Sequence, residues 1–476
     1  MRFEITAKDA MGRVGKLQTP HGVVETPALM PVINPNIRFI PPADMKKYGA
    51  EILITNSYII YRSRKLRETA LEKGLHGLLG VDIPVMTDSG SFQLMVYGDV
   101  EITNSEIVRF QNEIKSDIVT PLDIPTPPDA EYGTAMSDLE ETLRREKEAE
   151  EIHESYGHDN LLSIPVQGST HTELRRHSAR EANGLNGDVF AIGAVVPLLD
   201  SYRFADVAKI VLASKSILTP TKPVHLFGAG HPMIFALFTA MGIDLFDSAA
   251  YALFAKDDRY LTPYGTLKLE EIQYFPCSCP VCLNHTPEEL RKMNKNERAY
   301  LIAEHNLYVS FEEIRRVKQA IKSNELFELV ERRIRAHPYL IQAWREIRNH
   351  LELLEKHDPS AKKVFFYLGR ESVFRPAVKR HQERVMQVEI EKDEIVISSD
   401  SGIPADFYLR PVFGVVPAEL MESYPAGHAE TYDDLEDEAY TVAVEGLKKF
   451  MDANRDKKIR LVVDDKWRRY LNEIQN

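Results

Sequence analysis

Ile83-Pro84-Val85-Met86-Thr87-Asp88-Ser89-Gly90-Ser91-Phe92-Gln93 passes without a break from an apolar run into small and polar residues. A run this short has the length of a buried strand, and the polar group behind it marks the strand's exit from the core. The transition recurs, with amphipathic stretches between. Ile52-Leu53-Ile54 leads into Thr55-Asn56-Ser57, the run from Ile118 to Leu122 into Asp123, and Leu161 to Val166 into Gln167-Gly168. Val189 to Ile192 ends at Gly193, Val224 to Phe227 at Gly228-Ala229-Gly230, and Ile243 to Phe246 at Asp247-Ser248. Repeated strand-helix units of this kind predict a TIM-type (β/α)8 barrel. The carboxyl ends of its strands converge on one face, which brings Asp88, Asp123, Gln167, Gly193 and Asp247 to a shared cleft. An open doubly wound sheet is the competing fold, but no GxGxxG or phosphate-loop signature follows the first strand.

Beyond about residue 275 the alternation gives way to Cys277-Ser278-Cys279-Pro280-Val281-Cys282, which holds all 3 cysteines of the chain. Soft, closely spaced thiolates with no partners left for disulfides predict three ligands of a tetrahedral metal site, zinc by preference. The fourth donor is expected downstream at His305, because a return from His285 requires a sterically tighter bend. Three sulfurs and a nitrogen leave no open position, so the role expected of the metal is structural. The plainer alternative is three unpaired thiols on a turn of an intracellular protein.

Residues 287–357 read as helices, with Ile314, Val317 and Ile321 and then Ile347, Leu351 and Leu354 at helical spacing. Arg315, Arg316, Lys318, Arg332, Arg333 and Arg335 make this region basic, compatible with a solvated face or with RNA contact. The composition shifts at Asp358-Pro359-Ser360. We therefore expect residues 1–357 to form the barrel with an inserted zinc-binding subdomain at about 275–310, and 358–476 a smaller α+β extension that could contact RNA. Strands are expected at Val364 to Leu368 and Ile395 to Ile397, and a helix from Asp434 to Met451 with Ala443, Leu447, Phe450 and Met451 inward.

A formal charge of −13 excludes a uniformly basic nucleic-acid binder, so a polyanionic ligand must meet local patches. The N-terminus lacks the apolar core of a signal peptide, and no run approaches the ~20 apolar residues of a membrane span, so a cytoplasmic protein without membrane contact is expected. Two carboxylates facing each other across a sugar can perform retaining glycosyl transfer, and Asp247 and Asp88 are candidates for that pair. A sugar-cleaving hydrolase would use the same pair but line its cleft with tryptophans, of which there are only Trp344 and Trp467.

The motifs Thr87 to Gln93, Val166-Gln167-Gly168, Gly242-Ile243-Asp244-Leu245-Phe246-Asp247-Ser248 and CxCxxC with its delayed histidine resemble, in order and spacing, those of the tRNA-guanine transglycosylases over roughly residues 1–355. The extension and Asp247-Ser248-Ala249-Ala250-Tyr251-Ala252 resemble the archaeal, archaeosine-forming branch. The resemblance implies a pentosyltransferase in which Asp247 is the nucleophile and Asp88 the general acid/base. It also implies that Asp123, Gln167 and Gly193 bind the base, that Phe92 stacks on it, and that Ser89 and Ala194 belong to the same binding set. Gly193-Ala194-Val195-Val196-Pro197-Leu198-Leu199 offers no carboxylate for an aminomethyl cation, which favours neutral 7-cyano-7-deazaguanine in exchange for guanine 15 of the tRNA D-arm. A queuosine-type anticodon activity and a non-catalytic subunit of a modification complex are the alternatives. The resemblance further implies a homodimer. No equivalent of the small RNA-binding module that ends full-length archaeal relatives is found before Asn476, so anchoring of tRNA is expected to depend either on a separate RNA-binding partner protein or on the extension at 360–476 and the basic helices alone.

Overall fold

The computed structural model describes residues 2–37, 39–91 and 102–473. Contacts divide the chain into two compact units, Met1–Glu346 and Ile347–Asn476. The division falls ahead of the 357/358 boundary suggested by composition. The helix Leu351–His357 belongs to the second unit because it packs on the helix Pro376–Val385, where Arg380 Nε donates to Glu355 Oε1 at 2.8 Å.

The first unit opens with an antiparallel sheet of β1 (Phe3–Asp9), β2 (Gly12–Thr19) and β3 (Gly22–Thr26). Eight parallel strands follow: β4 (Ala28–Ile33), β5 (Leu53–Asn56), β6 (Val85–Asp88), β7 (Ile118–Val119), β8 (Leu161–Val166), β9 (Val189–Ile192), β10 (Val224–Leu226) and β11 (Leu245–Ser248). They close in chain order, β11 pairing β4 with Asp247 opposite Met30. The predicted barrel is thus the observed one. Sequence periodicity did not single out β4, although its Ala28-Leu29-Met30-Pro31-Val32-Ile33 also runs into polar residues at Asn34-Pro35-Asn36.

Alternate residues of the strands fill the barrel. Met30, Ile54, Met86, Ile118, Leu161, Val189 and Leu245 form one buried cluster with Phe3, Leu17 and Val24 of the antiparallel sheet, which caps the end opposite the cleft. Polar locks hold that cap in register. Buried Arg13 on β2 donates Nε and Nη2 to the two oxygens of Asp244, each at 2.7 Å. His21 and His76 stack at 3.5 Å and donate to opposite oxygens of buried Asp117, at 2.9 and 3.0 Å. Although two histidines and an aspartate invite a metal, His76 Nε2 also faces Ile83 O at 3.1 Å, so that nitrogen carries a proton. Nearly parallel rings also cannot aim two lone pairs at one ion. The group is a hydrogen-bonded lock.

The expected helices after the barrel are present, the longest being Lys295–Ser323, with Ile314, Val317 and Ile321 buried. Much of the basic charge here has internal partners. Arg333 is buried in a two-pronged bond to Glu313 at 2.7 and 2.9 Å, Arg316 pairs with Glu312, and Lys318 with Glu51 at 2.9 Å. Arg333 and Lys318 brace the fold while Arg316 stays on a solvated face, contrary to a reading of the whole stripe as an RNA contact.

The second unit has a four-stranded mixed sheet of Glu394–Ser398, Phe407–Arg410, Gly414–Pro417 and Lys458–Val462. The helix Asp437–Ala453 contributes Ala443, Leu447 and Phe450 to its core. Met451 is 37% exposed, contrary to expectation, because it lies about 100° around the helix from Phe450 and off that stripe. Among the described residues no helix is long and apolar enough to cross a membrane.

Candidate functional site

The carboxyl ends of the barrel strands carry the predicted acidic groups. Asp88 is the last residue of β6, Asp247 lies within β11, Gln167 and Gly193 directly follow β8 and β9, and Asp123 sits on the segment after β7. Each strand is buried up to its polar end, so the chain leaves the core where a polar side chain can first reach solvent or ligand.

Asp88 is only partly exposed and is held at both oxygens. Asn56 Nδ2 donates to Oδ2 at 2.8 Å, and the Gly90 N–H to Oδ1 at 3.1 Å. Burial pushes its carboxyl up to about 6, helped by the Asp123 and Asp247 carboxylates and opposed by the bonds from Gly90 and Asn56. Three carboxyls that sense one another at the mouth of one barrel cannot all ionise without cost, and burial raises both Asp88 and Asp123 above the usual carboxylate range.

This has a measurable consequence for stability. The folded chain holds the Asp88 proton between 3.8, the group's ordinary value, and about 6, whereas the unfolded chain has released it. The associated stability is fully present below that window and is lost as pH rises through about 6. Asp88→Ala removes this term. The unfolding free energy of the variant relative to wild type is expected to improve by about 2–3 kcal/mol between about pH 4 and about pH 7. Paired denaturant titrations at the two pH values measure the change.

Asp123 is buried, and its Oδ2 accepts a very short hydrogen bond from Gln167 Nε2. Burial also raises this carboxyl, against the hydrogen bonds from Ser91 and Gln167. Gly193 lies against the pair: a Cβ there would meet Gln167 Nε2 at 2.4 Å, which explains why no larger residue fits. Its carbonyl accepts from Arg175 Nη2 at 3.0 Å, and its N–H makes a long contact of 3.4 Å to Val166 O. Ala194 follows with φ of +59°, a left-handed turn that carries the chain into Val195 and Val196. Ser89 is buried and bonds Ser91 Oγ at 2.9 Å, so it supports the loop behind Asp123. Phe92 lies outside the described residues.

Asp247 is 7% exposed, and its Oδ1 takes two hydrogen bonds, from His225 Nε2 at 2.8 Å and from the Gly228 N–H at 2.6 Å. Among the described residues its Oδ2 takes none.

Sequence reasoning passed over Asn56, Arg175 and His225. Arg175 is wholly buried and donates to the carbonyls of Ser169, Val166 and Gly193 at 2.9, 2.6 and 3.0 Å, tying the ends of β8 and β9 together behind Asp123. Burial lowers its guanidinium to about 9. The available signals were a polar residue closing a strand, for Asn56, and a polar residue within an apolar run, for His225.

The cysteine cluster also assembles as predicted. Cys277, Cys279 and Cys282 Sγ and one ring nitrogen of His305 all lie within 4.8 Å of one another, a set that could hold a metal ion. Cys279 and Cys282 Sγ are 3.5 Å apart, and each is 3.4 Å from His305 Nδ1. Buried His305 is oriented from behind, since Nε2 donates to Leu261 O at 2.9 Å and leaves Nδ1 free to face the sulfurs. Tyr260 stacks on its ring at 3.5 Å and reaches Cys282 Sγ with its hydroxyl at 3.1 Å.

A closed parallel barrel with three carboxyls converging at its mouth, followed by a thiolate-rich cluster, places this chain in a defined class. The profile of the queuine tRNA-ribosyltransferase (TGT) family matches residues 8–339, and the chain belongs to that family. Among named relatives it is 60% identical to the tRNA-guanine(15) transglycosylase of Archaeoglobus fulgidus, over 99% of this chain and 98% of the relative. It is 53% identical to that of Methanosarcina mazei, over 95% and 92%, and 51% identical to that of Pyrococcus abyssi, over 91% and 72%.

Proposed function

We propose that this chain is a tRNA-guanine(15) transglycosylase, which exchanges guanine 15 of tRNA for 7-cyano-7-deazaguanine in the archaeosine-forming reaction. The observation that carries the reading is the meeting of Asp88, Asp123 and Asp247 at one barrel mouth, in a chain 60% identical to a relative of that name over nearly its whole length. Asp247 Oδ2 attacks C1′ of the nucleotide, and the N9–C1′ bond breaks. The departing guanine takes the Asp88 proton, which a carboxyl near 6 can supply close to neutral pH. In the second half the incoming base gives its N9 proton to the Asp88 carboxylate and attacks C1′, and the electron pair of the ester bond returns to Asp247. The nucleotide must leave its stack for the sugar to be reached.

Asp123 is suited to accept from the base's amino and ring N–H groups, with Gln167 sharing that carboxylate. The weakly engaged N–H of Gly193 and that of Ala194 are suited to its carbonyl oxygen. Phe92 is assigned the stacking role. Val195 is buried, and Val196 lies where a Cβ on Gly228 would meet its Cγ2 at 2.3 Å, so this wall of the site is apolar. An unpaired ammonium against it is disfavoured by several kcal/mol. In competition for unmodified tRNA, the cyano base is expected to outcompete the aminomethyl base by at least about a hundredfold in kcat/KM. Equal use of the two would favour the queuosine-type alternative. The activity itself is tested by incorporation of labelled guanine into unmodified tRNA, whose absence would return the chain to the non-catalytic reading.

We assign zinc to the Cys277, Cys279, Cys282 and His305 site, one ion per chain and structural. A tetrahedron with ~2.3 Å zinc–sulfur bonds has edges of about 3.7 Å, close to the 3.4–3.5 Å separations here. When bound, the ion cross-links the cysteine loop to the helix Lys295–Ser323. Beside it, Tyr274 and Leu283 are 89% and 71% exposed, which supports a homodimer through this region. The net charge of −13 and the internal ion pairs of the basic helices support a separate RNA-binding partner in the cytoplasm. Equal modification of tRNA with and without such a partner would eliminate that part of the reading.

A further inference from the structure

We infer that His225 is a positioning residue that, with the Gly228 N–H, holds one oxygen of Asp247 so that this carboxylate can serve as a leaving group as well as a nucleophile. The inference rests on the exchange reaction proposed above and deepens it. His225 has no exposed surface, and its Nε2 lies 2.8 Å from Asp247 Oδ1. Its Nδ1 is also buried and makes no hydrogen bond among the described residues. The ring therefore makes a single polar contact, and that contact is with Asp247. A carboxylate can only accept, so the proton sits on Nε2. Phe227, with its ring centre 4.2 Å away, holds the imidazole in place.

The two donors act on the same oxygen. With Oδ1 tied to His225 and to Gly228 at 2.6 Å, Oδ2 is the atom left to bond C1′. Once it has done so, Oδ1 is an ester carbonyl and accepts hydrogen bonds more weakly than the carboxylate did. In the second half the base N9–C1′ bond forms, the C1′–Oδ2 bond breaks, and its electron pair spreads over both oxygens, where the two donors stabilise the returning charge. Fixed donors aimed at developing charge act in the same way in an oxyanion hole. The arrangement also restrains the first half, because donors that stabilise the carboxylate make it a weaker nucleophile. His225 thus sets the balance between forming the ribosyl ester and releasing it.

His225→Met and His225→Gln test this, since the two side chains are nearly isosteric and differ in the donor. In the methionine variant, exchange of labelled guanine is expected to slow by roughly tenfold to hundredfold, while the fraction of enzyme trapped as denaturation-resistant RNA adduct rises. Glutamine, which keeps an amide donor in the same slot, should restore much of the wild-type partition. A merely structural role would lower exchange and adduct together, and that result, or unchanged values for both, would overturn the inference. A measurement independent of either variant is the 15N spectrum of the histidine rings in the unmodified protein, which must place the His225 proton on Nε2. A proton on Nδ1 would equally overturn it. Wild-type protein that incorporates no guanine would refute the functional reading itself, whereas active wild type with an unaltered methionine variant refutes only the part assigned to His225.

Discussion

Alanine at position 247 is expected to eliminate both guanine exchange and the covalent protein–RNA adduct, with a loss of at least about 10⁴-fold, because no other group can take over attack on the sugar. Asp247 is the carboxylate whose Oδ1 is tied by His225 and Gly228 while Oδ2 stays unbonded among the described residues. Among the described residues, the other two carboxyls of the barrel mouth are placed differently. Asp123 has Oδ2 bonded to Gln167, and Asp88 has both oxygens occupied by Asn56 and Gly90. The variant should still fold, although His225 Nε2 and the Gly228 N–H lose their acceptor at a cost of about 1–3 kcal/mol. The decisive comparison is gel-resolved adduct formation by wild type and variant on unmodified tRNA, beside their unfolding curves. Retention of adduct by the alanine variant would mean that the nucleophile lies elsewhere.

Removing the thiolate of Cys279 acts through folding, with chemistry affected second. Cys279 Sγ is 3.5 Å from Cys282 Sγ and 3.4 Å from His305 Nδ1, so its loss opens the donor set at its centre. Structural zinc contributes on the order of 10 kcal/mol to folding in small domains that depend on it. Cys279→Ala is therefore expected to lower bound zinc from about one ion per chain to near zero. The segment from the cysteine loop to the first turns of the helix Lys295–Ser323 should then become open to protease, with activity lost as a consequence. Prolonged chelation of the wild-type protein should reproduce both effects, and zinc should reverse them. Metal analysis with limited proteolysis reads the outcome. Full zinc content in the variant, or an unaltered digestion pattern after chelation, would remove the metal from its assigned role.

The two experiments separate the chain's two polar clusters by what each does. One lies at the carboxyl ends of the strands and carries charge that the fold tolerates at some expense of stability, as the raised Asp88 carboxyl indicates. The other follows the barrel in the chain and offers three thiols and a histidine that could hold a metal ion. Burial of the Asp88 carboxyl, helped by its acidic neighbours, is the main part of the expense at the first, and its removal in Asp88→Ala is the expected exchange of activity for stability.

Particular elements show how much could be read in advance. The runs ending at Asp88, Gln167, Gly193 and Asp247 were visible because a buried strand of a parallel barrel is apolar on both faces, so its polar end stands out. The cysteine spacing was equally plain, and the zinc-type donor set followed from the chemistry of sulfur. By contrast, β4 was passed over although Ala28 to Ile33 leads into Asn34, and its pairing with β11 and β5 is what identifies it as a barrel strand. The division between the units was displaced because Arg380 captures Glu355 across a turn of chain that composition marks as a break.

The amino-acid sequence alone therefore indicated seven of the eight barrel strands, the acidic residues expected to share a cleft, and the four donors of a cluster that could hold a metal ion. Each of these depends on local hydrophobic period or on the chemistry of single side chains. Which oxygen of Asp247 is tied, which carboxyls burial raises, and which arginines are internal braces were decided only by the tertiary structure. Hydrogen bonds and carboxylate fields act over a few ångströms in space, and the barrel brings together Asp88, Asp123, His225 and Asp247 from strands far apart along the chain.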